Sequence, residues 1–435
     1  MAGAPGTASR NSGWWGGPDA ARARLVDGLR DSGRLTDRAL EAAFRAVPRH
    51  VFLPTMPAAD AYQDEAFVIK TGADGLPLSS SSQPAIMAIM LEQLGIAPGQ
   101  RVLEIGTGTG YNAALMAHLV GDRGTVVTMD IDADLVGKAR ANLDGAGYPD
   151  VILVCGDGAF GEPRHAPYDR IIVTAGAWDL APDWLGQLGP GGRLVLPLSV
   201  RGIQLSVALE REAGHWRSRS AFRCGFIRMA GALAGPESFL PLGPQPGLYM
   251  HTDDGRPVDA GALYAALGNP ATDVPSGVAV SGLGELGEAD LWLTVTQPDL
   301  VRLTITGGGP MRGTVLPLVP LGAMAEPATE PAAGPDDARP AGDLGVAALL
   351  PARATTRPET APGGFEVAVR GFGLRGPPLA GRLAGQVVAW DGLGRPGTSE
   401  LSLRAYPLDT RVDEAPGQVI LDRHHTRLAL SWAAA

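Results

Sequence analysis

Between residues 101 and 198 short, almost unbroken apolar runs alternate with stretches of helical character: "RVLEIG", "TVVTMD", "VILVCGD", "DRIIVTA" and "GGRLVLPL". Runs of that length suit strands covered on both faces, and their alternation with helices predicts right-handed βαβ units in a parallel sheet. Upstream, "PDAARARLVDGLRDSG" and "TDRALEAAFRAV" carry apolar residues at helical spacing, with Pro18 and Thr36 or Asp37 as start signals, so two N-terminal helices are expected. The stretch from Pro48 to Pro84 reads as loop-rich. After it Ile86, Ile89, Met90 and Leu94, spaced i, i+3, i+4 and i+8, predict a helix that begins close to Pro84. Two further strands, "IQLSVALER" and "AFRCGFIRMAGA", have no long helix between them and should end the sheet with an antiparallel addition near Ala234.

Beyond that point "LWLTVTQ", "VRLTITG", "QVVAWDG", "LSLRAYPL" and "RLALSWA" read as strands. The expected organisation is a disordered N-terminus at 1–17, an α/β doubly wound domain over 18–234, and a smaller β-rich extension over 235–435 with a flexible insert at about 323–342. The insert is rich in Ala, Pro and acidic residues, which cannot bury enough apolar surface to fold alone.

Composition narrows the function. A chain of 435 residues suits two or three domains, and a net charge of -10 opposes a broad nucleic-acid footprint. Cys155 and Cys224 are far apart and outside any CxxC pattern, so both are expected to be buried small hydrophobes rather than zinc ligands or a disulfide. His424 and His425 are adjacent with no third ligand in view, and no metal site is expected. No apolar run has the length of a membrane span and the first residues lack the apolar core of a signal peptide; the expectation is a cytoplasmic protein without a membrane partner.

The chemistry centres on "VLEIGTGTGYNAALMAHL": a strand, a turn with Gly106, Gly108 and Gly110, then a helix. Glycines there allow a tight turn and close approach of backbone to a ligand, as nucleotide-type cofactors require at this position of an open α/β sheet. Asp130 ends the next strand, where a carboxylate can hold both hydroxyls of a ribose. Gly156, Asp157 and Gly158 end the third, bringing a carboxylate within reach of an adenine amino group. A dinucleotide would want GxGxxG for its pyrophosphate. This loop reads GxGxG behind Glu104, which repels phosphate and attracts an ammonium, so S-adenosyl-L-methionine suits the charges better than NAD.

Several motifs in succession carry a resemblance. "VPRHVFLP", "AYQDEAF", "SSSQP", "VLEIGTGTGYNAALMAHLV", "GDG" and "YDRIIVTAGA" occur in the order and spacing of protein-L-isoaspartate O-methyltransferases, from about Leu25 to Met229. The resemblance implies a Rossmann-like class I methyltransferase sheet ending in a reversed strand. It further implies that the loop from Glu104 to Gly110 holds the methionine part of the cofactor, Asp130 the ribose, and Asp157 lies near the adenine. Thr174-Ala175-Gly176-Ala177 stands where amine methyltransferases carry an Asn-Pro-Pro-Tyr type motif, which opposes an amine acceptor; Thr174 is counted with the cofactor site.

A carboxylate is already a nucleophile near neutral pH, so its methylation needs alignment and donors that hold one oxygen, not a general base. Hydroxyls at a helix N-terminus supply such donors. Ser82, two residues before Pro84, matches the active-site serine of the family's Thr-Ile-Ser-Gln-Pro-like motif, with Ser80 at the threonine; the alternative is that Ser79 to Ser82 only cap the helix. Tyr62, Asp64 and Ser81 are assigned to the substrate cleft, while Arg49 and His50, and the lone His118 and His165, are read as structural.

Two departures bear on the substrate. "KTGADGLPLSSS" is longer than the family's usual connection, and the extension after residue 235 has no counterpart in the minimal enzyme. Both resemble the C-terminally extended members associated with ribosomal peptide maturation of the lanthipeptide, graspetide or lasso type, which methylate an ordinary Asp so that the ester collapses to an aspartimide. The expectation is carboxyl O-methylation of an Asp side chain in such a peptide, with repair of isoaspartyl proteins as the alternative. A binding module without turnover stands third, opposed by the intact Glu104, Asp130 and Asp157.

Overall fold

The computed structural model describes residues 17–73, 75–244, 247–255, 258–298, 300–305, 315–320, 346–351, 364–373 and 376–432. The expected disordered start, except Gly17, and the insert at 323–342 lie outside the described residues.

Two helices open the chain, α1 (Pro18–Asp31) and α2 (Arg38–Ala46). Pro18 sits in the first turn, where its missing N–H costs nothing, and the Asp37 carboxylate accepts from the Leu40 N–H at 2.8 Å. The stretch read as loop-rich contains a hairpin instead: β1 (Phe67–Thr71) pairs antiparallel with β2 (Pro77–Ser81), Val68 opposite Ser80. Serines are poor strand formers, and this two-stranded sheet buries little, so no alternation in the sequence announces it. α3 (Pro84–Leu94) begins where expected and ends on Gly95, whose left-handed φ of 60° closes the helix.

The alternating region folds as β3 (Arg101–Ile105), α4 (Tyr111–Val120), β4 (Thr125–Asp130), α5 (Ala133–Gly145), β5 (Ile152–Cys155), β6 (Tyr168–Val173), α6 (Pro182–Gln187) and β7 (Leu188–Val200). All five strands run parallel in the order β5-β4-β3-β6-β7, and the direction of winding reverses between β3 and β6. Ligands of open α/β sheets bind outside the carboxyl ends of the strands at such a reversal. β8 (Ile203–Glu212) and β9 (His215–Cys224) add antiparallel, as the sequence predicts, but the second strand lies earlier than expected: β9 ends at Cys224, and residues 225–232 of the expected strand are outside it. One face of the sheet packs on α1, α2, α3 and α4 through residues such as Leu29, Phe44, Met90 and Leu115; the other holds Leu103, Ile171, Trp184 and Leu196.

The remainder comprises β10 (Ser238–Pro241), β11 (Leu248–Thr252), α7 (Ala260–Leu267), β12 (Ala271–Val280), α8 (Leu283–Thr296), β13 (Leu300–Ile305), β14 (Val315–Pro320), β15 (Val346–Pro351), β16 (Phe365–Phe372), α9 (Gly376–Gly392), β17 (Leu401–Pro407), β18 (Val419–Asp422) and β19 (Thr426–Trp432). Three expectations change here. "LWLTVTQ" and "QVVAWDG" are the ends of α8 and α9, not strands. From Ala289 to Val295 every residue of α8 is buried, so the helix shows no polar stripe, and its Thr and Val residues imitate a strand.

The sheet, moreover, does not end near Ala234. β17 pairs with β9, Ala405 opposite Trp216, and β19 and β18 follow to make ten strands. Leu401, Leu403, Leu428 and Leu430 enter the same core as Leu196 and Val207. A boundary at 234 therefore divides strands of one sheet, while β10, β11, β13 and β14 form a small sheet and β12, β16 and β15 another.

Cys155, expected to be buried, is exposed at the end of the edge strand β5, and Cys224 is half-buried. No helix among the described residues is long and apolar enough to cross a membrane.

Candidate active site

A cavity of about 250 Å³ opens at the carboxyl ends of β3, β4 and β6. Its floor is the turn between β3 and α4, where Gly106, Gly108 and Gly110 have φ of 106°, 52° and 87°, values that L side chains rarely adopt. At Gly106 a Cβ would also lie 2.5 Å from Thr174 Oγ1. That hydroxyl donates to the Gly106 carbonyl at 2.7 Å, so Thr174 ties the turn to the end of β6 while lining the cavity.

Glu104 is fully buried beneath the turn. Asn112 Nδ2 and Thr128 Oγ1 donate to its carboxylate at 2.7 and 2.6 Å, yet burial still pushes its pKa up to about 7. Asp130 accepts from the Gly108 and Asp132 N–H groups, each at 3.1 Å, and burial raises its pKa too. With Asp132, three carboxylates face one cavity beside a backbone turn without side chains. This set of acceptors fits a cofactor that carries an ammonium and a ribose diol, and would repel a pyrophosphate.

The serine strand forms the opposite wall: Ser79 to Ser82 all line the cavity, and the Ser80 carbonyl lies 3.6 Å from where a Cβ of Gly108 would be. Arg49, wholly buried, fixes this strand. Its guanidinium donates to the carbonyls of Ser82 at 3.0 Å and Glu65 at 3.3 Å, and to Ser81 Oγ at 3.4 Å, between the rings of Phe67 and Tyr111. Lys70 of β1 pairs with Asp132 and, at 3.4 Å, with Asp134, which ties the hairpin to the start of α5 across the cavity mouth.

Of the sequence-predicted residues, the cavity brings together Ser80, Ser81, Ser82, Glu104, Gly106, Gly108, Asp130, Gly158 and Thr174. Gly110, Gly156, Asp157, Tyr62 and Asp64 stay outside its lining. Gly110 starts α4, with Leu143 of α5 only 3.2 Å from where its Cβ would lie. Asp157 turns its carboxylate to the N–H groups of Ala159 and Ala232, at 3.0 and 2.7 Å, instead of into the cavity. Asp64 is a helix cap: it accepts from the Ala85 N–H at 2.8 Å and from Gln83 Nε2 at 3.1 Å. The Tyr62 hydroxyl shares a hydrogen bond with His50 Nδ1 at 2.8 Å. Capping residues and cleft residues look alike in sequence, since both are polar groups beside a helix start.

The sequence assigned no role in the site to Asn112, Asp132 or the segment from Phe226 to Ala230, which all line the cavity; that segment reads in sequence as the middle of an expected strand. Asn112, eight residues after Glu104 and one position into α4, carried a usable signal; Arg228 carried none.

The fold and the cavity define a class I methyltransferase. The family described as protein-L-isoaspartate(D-aspartate) O-methyltransferase matches residues 20–234, and the chain belongs to it. A protein-L-isoaspartate O-methyltransferase of Methanopyrus kandleri is 40% identical over 213 residues, 48% of this chain and 92% of its own length. Protein-L-isoaspartate O-methyltransferase 2 of Archaeoglobus fulgidus is 37% identical over 213 residues, 49% of this chain and 94% of its own. A solved structure of a protein-L-isoaspartate O-methyltransferase covers 88% of this chain and 96% of its own at 23% identity, with a TM-score of 0.47. The chain is thus an S-adenosylmethionine-dependent carboxyl O-methyltransferase of this family.

Proposed function

We propose that the enzyme methylates the side-chain carboxylate of an isoaspartyl residue in a protein or peptide. The observation that carries this reading is the meeting, in one cavity, of the hydroxyl-bearing segment Ser80 to Ser82 with the carboxylate-lined turn of Glu104 and Asp130. S-adenosylmethionine, when bound, supplies a methyl group on a sulfonium. Glu104 and Asp130 would hold its ammonium and ribose, and Gly106 and Gly108 would let the backbone approach. Ser82, set two residues before the start of α3, holds one oxygen of the acceptor carboxylate. The other oxygen would be left free to accept that methyl, and since the acceptor is already a carboxylate the residues have no proton to move.

Methylation of an ordinary Asp in a ribosomal peptide, leading to aspartimide, is the second reading. It is favoured by the junction of the C-terminal region with the acceptor side, where Arg228 of the cavity wall contacts Glu237. The deciding experiment offers matched isoaspartyl and aspartyl peptides with the cofactor and follows mass. Turnover confined to isoAsp supports the first reading; methylation of the Asp peptide followed by loss of methanol overturns it in favour of the second.

A further inference from the structure

Among the described residues lining the cavity, Arg228 is the one cation, facing a wall that otherwise carries Glu104, Asp130 and Asp132. Its backbone is fixed on the β6 side of the sheet. Gly176, just past the end of β6, donates to the Ile227 carbonyl at 2.8 Å and accepts from the Met229 N–H at 2.9 Å, so residues 227–229 run as a clip beside β6. The strands β3 and β4, which carry Gly106 and Asp130, lie on the other side of the winding reversal. Arg228 thus lines the cavity from the β6 side of the reversal, across from the strand ends that lead to Gly106 and Asp130.

The side chain itself is held but not consumed. Nη1 donates to the Glu237 carbonyl at 2.5 Å, and Nε stands 3.9 Å from the Glu237 carboxylate, whose side chain is buried. Glu237 lies beyond the family match and immediately precedes β10. A guanidinium has five N–H donors, and the Arg228 side chain is 45% exposed, so a face remains for an incoming anion.

We propose that Arg228 binds the carboxylate of the acceptor peptide and that Glu237, supplied by the C-terminal region, is its positioning residue. The assignment rests on the carboxyl methyltransferase reading. A cation is useful here because the cavity is otherwise acidic and would repel a carboxylate; a charge-assisted hydrogen bond offsets that repulsion. The same contact favours release, since the methyl ester is neutral and no longer attracts the guanidinium. The C-terminal region would in this way govern which acceptor binds without touching the cofactor.

The test compares the full-length chain with Arg228→Gln, Arg228→Lys and Glu237→Gln, measuring base-labile methyl incorporation into an isoaspartyl and an aspartyl peptide, and cofactor affinity separately by calorimetry. Turnover by the unaltered chain is the check on the underlying reading; its absence on both peptides sinks that reading, whatever the variants do. Given turnover, Arg228→Gln should raise the peptide KM about tenfold to a hundredfold, the loss of one charge-assisted hydrogen bond, with cofactor affinity unchanged. Arg228→Lys should recover part of the loss. Glu237→Gln, which keeps the carbonyl contact, should raise the same KM by a smaller factor. An unchanged peptide KM in Arg228→Gln overturns the proposal. So does a loss of cofactor affinity in that variant, which would move the guanidinium to the cofactor's own carboxylate.

Discussion

Arg49 donates to the carbonyl of Ser82 at 3.0 Å from 33 residues earlier in the chain, and so couples the end of the N-terminal helical layer to the serine segment that lines the cavity. Among the described residues no carboxylate comes within ion-pair distance of the guanidinium, and burial lowers its pKa against the weaker opposing pull of groups such as Asp64; carbonyls and two aromatic rings accept it. Arg49→Met should leave those carbonyls unpaired, costing about 2–4 kcal/mol of stability. Arg49→Lys, with a point charge in place of a fork, should recover only part of it. Denaturant midpoints measure both, and wild-type stability in the methionine variant would remove the pinning role.

Ser82→Ala tests the acceptor side. Removing one pre-organised donor should lower kcat about a hundredfold while cofactor affinity holds. Single-turnover methyl transfer and calorimetric titration separate the two, and parallel losses would signal a folding defect rather than a role in orientation.

Asp130→Ala tests the cofactor side. The carboxylate lines the cavity and also holds the N–H groups of Gly108 and Asp132, so its loss should weaken S-adenosylmethionine binding about tenfold to a hundredfold. An unchanged dissociation constant would exclude a contact with the ribose.

Glu104 gives the apo protein a pH dependence of defined sign. Its carboxyl is raised from an ordinary 4.5 to about 7, so between those values the native state keeps a proton that the unfolded chain has released. Stability from this group is therefore full below about pH 4.5, falls as pH rises toward 7 and then levels, with a total loss of roughly 3 kcal/mol at most. Asp130 shifts in the same direction, so the informative quantity is the difference between wild type and Glu104→Gln. Urea unfolding across pH 4 to 8 should show the variant with a shallower decline; identical slopes would mean that Glu104 titrates as an ordinary carboxylate.

A chain ended at Gly235 should lose more than acceptor recognition. It would uncover the β9 edge and strip Leu291, Val295, Leu401, Leu403, Leu428 and Leu430 from the core they share with Leu196 and Val207. An open apolar edge of that kind promotes association. The shortened chain should melt earlier and elute as aggregate on size exclusion; a monomer with wild-type Tm would show that the added strands are dispensable.

By itself the sequence determined the parallel sheet, its order of strands and helices, and the cofactor turn. These are local properties: a buried parallel strand is a continuous apolar run, and a sharp βα turn under a ligand needs glycine at Gly106 and Gly108. Glu104, Asp130 and Ser82 were legible for the same reason, each sitting at a fixed offset from a strand end or helix start.

Only the tertiary structure decided what depended on distant partners. Asp157 and Asp64, carboxylates in plausible positions, are turned to backbone N–H groups of Ala232 and Ala85, residues that no spacing rule links to them. α8 hid its period because it contributes to two cores at once, Leu291 and Val295 to one, Leu286 and Trp292 to the other. Arg228 became visible only when residues 227–229 lay down beside β6 and Glu237 closed on its guanidinium, because the meaning of a charge is set by what surrounds it in space and not by its neighbours along the chain.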